Sequence, residues 1–213
     1  MDITEALKEC YEGNSNVFVR DNHTSDNNFC YIYFSSNALY RKNDFNDFVT
    51  KIVEKNRYEW MQLSAVNKPK REIFVRDIYL SWYARGINKE NPSYKALIDL
   101  LREMSREYTV RCVGASSGGF IAAIVAMELE AEICYSFSGQ FSLGNHFDHL
   151  QTNPYLRAVE KEEGGEYWFE YWKRIDRYKT EYSCAGVPLF RRNGYRQSGG
   201  RKPLFRNRDT ALT

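Results

Sequence analysis

Residues 108–123 read YTVRCVGASSGGFIAA, and no other stretch limits the fold of this chain so strongly. An apolar run, Tyr108 to Val113, is β-like in composition and ends in Gly114-Ala115-Ser116-Ser117-Gly118-Gly119. An apolar pattern of helical type follows without a spacer. The spacing G-x-S-x-G between a strand and a helix is the setting in which a serine sits on a tight turn with its hydroxyl exposed. The glycines two before and two after Ser116 fall where a side chain would strike the turn or the neighbouring strand. A glycine-rich phosphate-binding turn is the rival reading, but the chain has neither G-x-G-x-x-G nor G-x-x-x-x-G-K-[ST]. Ser116 is therefore the leading candidate for a nucleophile, with ester or acyl chemistry as the expected class.

The rest of the chain predicts the scaffold around that turn. Residues 1–12 suit a short helix, and Val17–Arg20 and Phe29–Phe34 read as strands separated by the turn-rich DNHTSDNN. Phe45, Phe48, Val49, Ile52 and Val53 recur at helical spacing within residues 44–55. Glu72–Arg76 is a third strand, followed by an aromatic loop or short helix over 78–87. Asn91 and Pro92 suit a helix cap and first turn, and Ala96, Leu97, Leu100, Leu101 and Met104 follow on one face. Glu132–Phe137 is the strand after the Ser116 helix, and 187–190 suit a last short strand. Strands alternating with helices predict an α/β fold: a mostly parallel sheet with helices on both faces, in three layers, its C-terminal part incomplete. Residues 1–190 are expected to form one domain. Residues 144–182, rich in charge and aromatics, read either as a helical lid over the strand ends or as a peripheral amphipathic helix.

Composition excludes several classes. With 213 residues, 43% apolar and 27% charged, the chain is an ordinary globular protein large enough for a substantial core. No run of 18 apolar residues suggests a membrane span, and MDITEALKEC lacks a signal-peptide core. The five cysteines are odd in number and unpatterned, so reduced thiols and a cytoplasmic location are expected. No cofactor is implied, and His146 and His149 lack the companions of a metal site. Seven of the 30 Lys/Arg and one of the 28 Asp/Glu fall in residues 191–213, leaving 23 against 27 in the body. That basic tail reads as a solvated, disordered end, as a truncated or altered terminus, or as a nucleic-acid arm. The acidic body and the lack of a binding motif speak against nucleic acid as a partner. The oligomeric state is open.

The succession of strand, FSSNALY, long helix, REIFVRD, helix, YTVRCVGASSGG, helix and ICYSFSGQFSL resembles the α/β-hydrolase fold over about residues 15–190. FSSNALY, RDIYLSWYARGIN and SFSGQFSL together resemble small hydrolase-like proteins of bacterial surface-polysaccharide biosynthesis. The resemblance implies Ser116 as nucleophile and the N–H of Ser117 as one oxyanion donor. A second donor is implied in Ser35-Ser36-Asn37, the loop after an earlier strand. Asn37, Asp77 and Gln140 end strands or open the loops after them, so they become candidate contacts to a small-molecule or saccharide substrate. The simpler reading of Asp77 and Gln140 is as helix caps or turn residues.

The chain departs from that pattern in its last part. The three histidines are His23, His146 and His149, and VPLFRRNGYRQ puts Gln197 where the acid of the family pattern would fall. Either the acid and base have been lost, or His146 or His149 acts as base with Asp148 or Asp176 as orienting acid; a surface histidine with no role is the simpler alternative. Besides binding of nucleic acid or an anionic surface through the basic tail, two functions follow. The first is a serine hydrolase, esterase or acyltransferase on a polar, carbohydrate-like substrate. The second is a catalytically silent protein of the same fold that binds a sugar intermediate or a biosynthetic partner. Whether the chain is an enzyme stays open on sequence alone.

Overall fold

The structure is a computed structural model that describes residues 2–62, 68–139 and 188–191. Helix α1 spans Ile3–Gly13, strands β1 and β2 Val17–Asp21 and Phe29–Phe34, and α2 Phe45–Phe48, which widens into a π-helix over Val49–Glu54. Strand β3 is Arg71–Val75, α3 Tyr94–Ser105, β4 Thr109–Ala115, α4 Ser117–Glu128, β5 Ile133–Phe137 and β6 Pro188–Arg191. The sheet order is β1-β3-β2-β4-β5-β6. The four inner strands are mutually parallel, while β1 and β6 close the two edges antiparallel. This is the mostly parallel α/β arrangement that the alternation of strands and helices implies.

Local chemistry explains the element ends. Asp2 caps α1 by accepting from the Glu5 N–H at 2.9 Å, and Ala6 and Cys10, one turn apart, are its buried residues. Ser93 caps α3, accepting from the Ala96 N–H at 3.2 Å, and Tyr94, Leu97, Ile98, Leu101 and Ser105 line its buried face. The cap expected at Asn91-Pro92 is therefore two residues early. Asn91 is engaged in the preceding turn, where its carbonyl accepts from the Ile87 N–H at 3.0 Å and its own N–H donates to Asn88 Oδ1 at 2.8 Å. Gly86 permits that turn, since a Cβ there would lie 1.8 Å from the Asn91 oxygen.

The helix over 44–55 is likewise altered. Asp44 caps it through the Asp47 N–H at 2.9 Å, but its second half is π-helical. The wider turn carries Val53 off the stripe shared by Phe48 and Ile52, leaving it 52% exposed.

Helices α3 and α4 pack on one sheet face, over Cys30, Ile32, Phe34, Ile73, Val75, Cys112 and Cys134. Helix α4 is buried from Ser117 to Ala126, as a helix without a polar face must be. The opposite face carries Tyr31, Tyr33, Phe74, Val113 and Tyr135, packed by Tyr58, Trp60 and Met61. A third cluster joins α1 and α2 to Leu39, Tyr40, Ile78 and Leu80, in the loops that leave β2 and β3. The helical segment expected over 144–182 and the tail after 191 lie outside the described residues; Arg191 itself ends β6. Among the described residues no helix is long and apolar enough to cross a membrane.

Candidate active site

Strand β4 delivers the turn. It lies between β2 and β5, with Gly114 opposite Phe34 and Ala115 opposite Phe137. Ser116 follows at φ 50°, ψ −121°, a conformation that costs a residue with a Cβ about 1–3 kcal/mol. Its neighbours hold it there. Its N–H donates to the Phe137 carbonyl at 2.9 Å, and its carbonyl accepts the first bond of α4 from Phe120 at 3.0 Å. Its side chain does not cap the helix, and the residue is exposed.

The glycines make the turn sterically feasible. A Cβ on Gly114 would stand 2.1 Å from the Gly118 carbonyl oxygen, and one on Gly118 would stand 2.4 Å from that of Phe34. Strand, turn and helix thus approach more closely than any other residue pair would allow. The sequence spacing and the backbone agree on a serine presented at the carboxyl end of a central parallel strand, the rim where ligands bind in open α/β sheets.

The donors around Ser116 differ from expectation at two places. The N–H of Ser117, first in α4, has no acceptor among the described residues and stands at the positive end of the helix dipole. The loop after β2 is otherwise engaged. The Ser35 N–H donates to the Val75 carbonyl at 2.9 Å. The Ser36 N–H donates to Glu59 Oε2 at 2.7 Å, and the Ser36 hydroxyl to Glu59 Oε1 at 3.0 Å. The expectation that Ser35 or Ser36 offers a backbone oxyanion donor is corrected accordingly: both are buried and hold the loop to Glu59 and β3. Asn37 lies against the turn. Its N–H donates to Ser117 Oγ at 2.9 Å, and that hydroxyl donates back to Asn37 Oδ1 at 3.0 Å.

Asp77 also has a different employment. It is buried, and its carboxylate accepts from the N–H groups of Tyr79, Ser81 and Tyr83 at 2.9, 2.6 and 2.8 Å and from the Ser81 hydroxyl at 3.0 Å. Burial pushes its carboxyl up from the ordinary value, and the hydrogen bonds from Tyr83, Ser81 and Tyr79 pull the other way. The loop it organises holds Leu80, Trp82 and Tyr83 at positive φ, which accounts for so many bonds to one side chain. Tyr83 then donates its hydroxyl to the Ser35 carbonyl at 2.8 Å. Asp77 is thus the turn residue of its two sequence readings: it positions the loop beside the Ser116 turn, and its carboxylate is enclosed there rather than turned to a substrate.

Glu59 and Trp60 were not legible as site residues. The segment carrying them has no periodicity, and nothing in RYEW signals the rim of a sheet. Trp60, at φ 71°, donates its indole N–H to the Phe34 carbonyl at 3.0 Å. Its ring stacks on Phe137 with centroids 5.9 Å apart and planes at 29°. Since Phe137 also accepts the Ser116 N–H, the pair forms an aromatic wall reaching from the end of β2 to the end of β5, across the strand that carries the serine. Phe137 is 37% exposed.

Gln140, His146 and Asp148 lie outside the described residues. Among the described residues no group of three or more His, Cys, Asp or Glu side chains is arranged to hold a metal ion. Four described cysteines are free and buried, and burial pushes the Cys30 thiol up to about 12.

No family model matches the chain, and no curated protein matches it. Among solved structures, a capsule O-acetyltransferase of Neisseria meningitidis serogroup A aligns at TM-score 0.47 with 10% identity, over 78% of this chain and 66% of that one. The chain thus spans just under two thirds of that protein's length.

Proposed function

We propose that the protein is a serine-dependent acyl-processing enzyme of α/β-hydrolase type, acting on ester or acyl groups of a polar, carbohydrate-like substrate. The observation that carries this reading is Ser116 itself: an exposed serine held at φ 50° between a central parallel strand and a buried helix. A strained conformation persists only where its surroundings over-determine it, and strain of this kind clusters at functional sites.

In the proposed reaction the Ser116 oxygen attacks the acyl carbonyl and its proton passes to a base, for which His146 is the candidate, oriented by Asp148. The carbonyl oxygen takes up the negative charge beside the Ser117 N–H. The alkoxide then leaves with the proton, and water or a second hydroxyl accepts the acyl group. The Trp60–Phe137 wall supports a sugar-like substrate, because flat aromatic faces suit the apolar face of a pyranose ring. Asn37, half-buried beside Ser117, and Gln140 are the candidate polar contacts to that substrate.

The test is labelling by a fluorophosphonate, read by intact mass, on the wild type, Ser116→Ala and His146→Ala. One adduct on the wild type, none on Ser116→Ala and a strongly slowed reaction on His146→Ala is the expected result. No adduct on the wild type would overturn the enzymatic reading and leave a silent fold that acts by binding.

A further inference from the structure

We propose that the side-chain amide of Asn37, rather than a backbone N–H of its loop, is the second donor to the oxyanion formed at Ser116. The inference rests on the Ser116 reading above and adds a catalytic residue to it.

Three observations converge on Asn37. The first is elimination. Acyl-transfer sites of this kind pair the N–H after the nucleophile with a donor from a neighbouring loop, yet the N–H groups of Ser35, Ser36 and Asn37 are all bonded within the protein. The second is the clamp on Asn37. Ser117 is fully buried, and its hydroxyl accepts from the Asn37 N–H at 2.9 Å while donating to Asn37 Oδ1 at 3.0 Å. Reversing the amide would leave a buried hydroxyl proton without an acceptor, which costs about 1–3 kcal/mol. The bonding therefore fixes which end of the amide is oxygen.

The third observation is what the clamp leaves over. With Oδ1 turned to Ser117, the remaining end of the planar group is Nδ2 with two N–H donors. Among the described residues those donors have no acceptor. Asn37 is only half-buried, so they are open to a ligand. The residue that holds them is Ser117, whose own N–H is the first oxyanion donor. One residue thus presents one donor and positions the other, so both move with the start of α4 and with Ser116. Such pre-set donors stabilise the charge that develops on the carbonyl oxygen without reorganising during the reaction.

Asn37→Asp separates donation from packing, because it preserves the shape and the acceptor for Ser117 but removes both N–H groups. The readout is the rate of Ser116 phosphonylation by a fluorophosphonate, whose phosphoryl oxygen takes the oxyanion position, with melting temperature measured alongside. The variant is expected to label about 10²–10³ more slowly than the wild type. Its deficit should narrow as the pH falls toward about 4, where the carboxyl regains a proton it can donate. A purely structural role would give no such recovery. Should the added charge prevent folding, Asn37→Ala is expected to show the same slowing without the recovery. Labelling of either folded variant within about threefold of wild type, a tenth or less of the loss expected for a donor, would overturn the assignment while leaving Ser116 as nucleophile. Failure of the wild type to label would overturn both.

Discussion

Replacing Gly118 with alanine would place a Cβ 2.4 Å from the Phe34 carbonyl oxygen and 3.0 Å from that of Ser35, both of them backbone atoms that no rotamer can move. Reaching the 3.4 Å of ordinary contact means opening the seam between α4 and β2 by about 1 Å. The Asn37–Ser117 pair crosses that same seam, so its 2.9 and 3.0 Å bonds would lengthen to about 4 Å, beyond hydrogen-bonding reach. Overpacking of this kind costs about 1–3 kcal/mol. The unpaired groups add about 1–3 kcal/mol, and the stiffer unfolded chain returns about 0.4–1 kcal/mol. The net loss is about 3 kcal/mol, or roughly 6–12 °C in melting temperature for a chain of this size.

Two controls give this prediction a ladder. At Gly119 a Cβ would meet Ser136 Oγ at 2.6 Å, a side-chain atom that can rotate away once it gives up its 3.0 Å bond to the Gly119 carbonyl, so the cost is smaller. At Gly13 nothing lies within 4 Å, and alanine there should stabilise by about 0.4–1 kcal/mol. Thermal and urea denaturation followed by circular dichroism would rank the three. A Gly118→Ala loss under about 0.5 kcal/mol, the scale of a neutral surface change, would refute the close-approach argument.

Two further outcomes follow from the buried and paired carboxylates. Asp77→Ala orphans the N–H groups of Tyr79, Ser81 and Tyr83 and should cost more than about 2 kcal/mol in a urea titration; a stability equal to wild type would return Asp77 to the list of free rim groups. Arg71, bonded to both oxygens of Asp21 at 2.7 and 3.0 Å, holds that carboxyl below its ordinary value. A depressed folded value means the stabilisation is complete above about pH 4 and is lost as the pH falls through the folded value. Asp21→Asn should therefore flatten this part of the acid limb of urea midpoints, and 1 M salt should shrink the difference because the pair is part-exposed; an unchanged acid limb would refute the pairing.

The chain's sequence determined the Ser116 turn and the scaffold around it, because both depend on rules local in the chain. Glycines two before and two after Ser116 are needed wherever strand and helix meet this closely, and that need is written in adjacent residues. Apolar runs placed β2 to the residue and β4 and α4 to within two, and a period-3.6 stripe placed the buried face of α3. Local competition moved the rest: Ser93 took the cap of α3 because Asn91 was engaged in the turn that Gly86 permits, and a widened helix rotated Val53 outward. The tertiary structure alone decided what each rim residue does. Ser35 and Ser36 read as donors until the Val75 carbonyl took the N–H of the first and the Glu59 carboxylate that of the second, each more than 20 residues away. Asp77 read as a rim contact or a turn residue, and only the fold of its own loop over it decided for the turn. Asn37 gained its place from Ser117, 80 residues along the chain. Hydrogen-bond partners at such separations are set by the packing of whole elements, and side-chain spacing in a sequence carries no record of them.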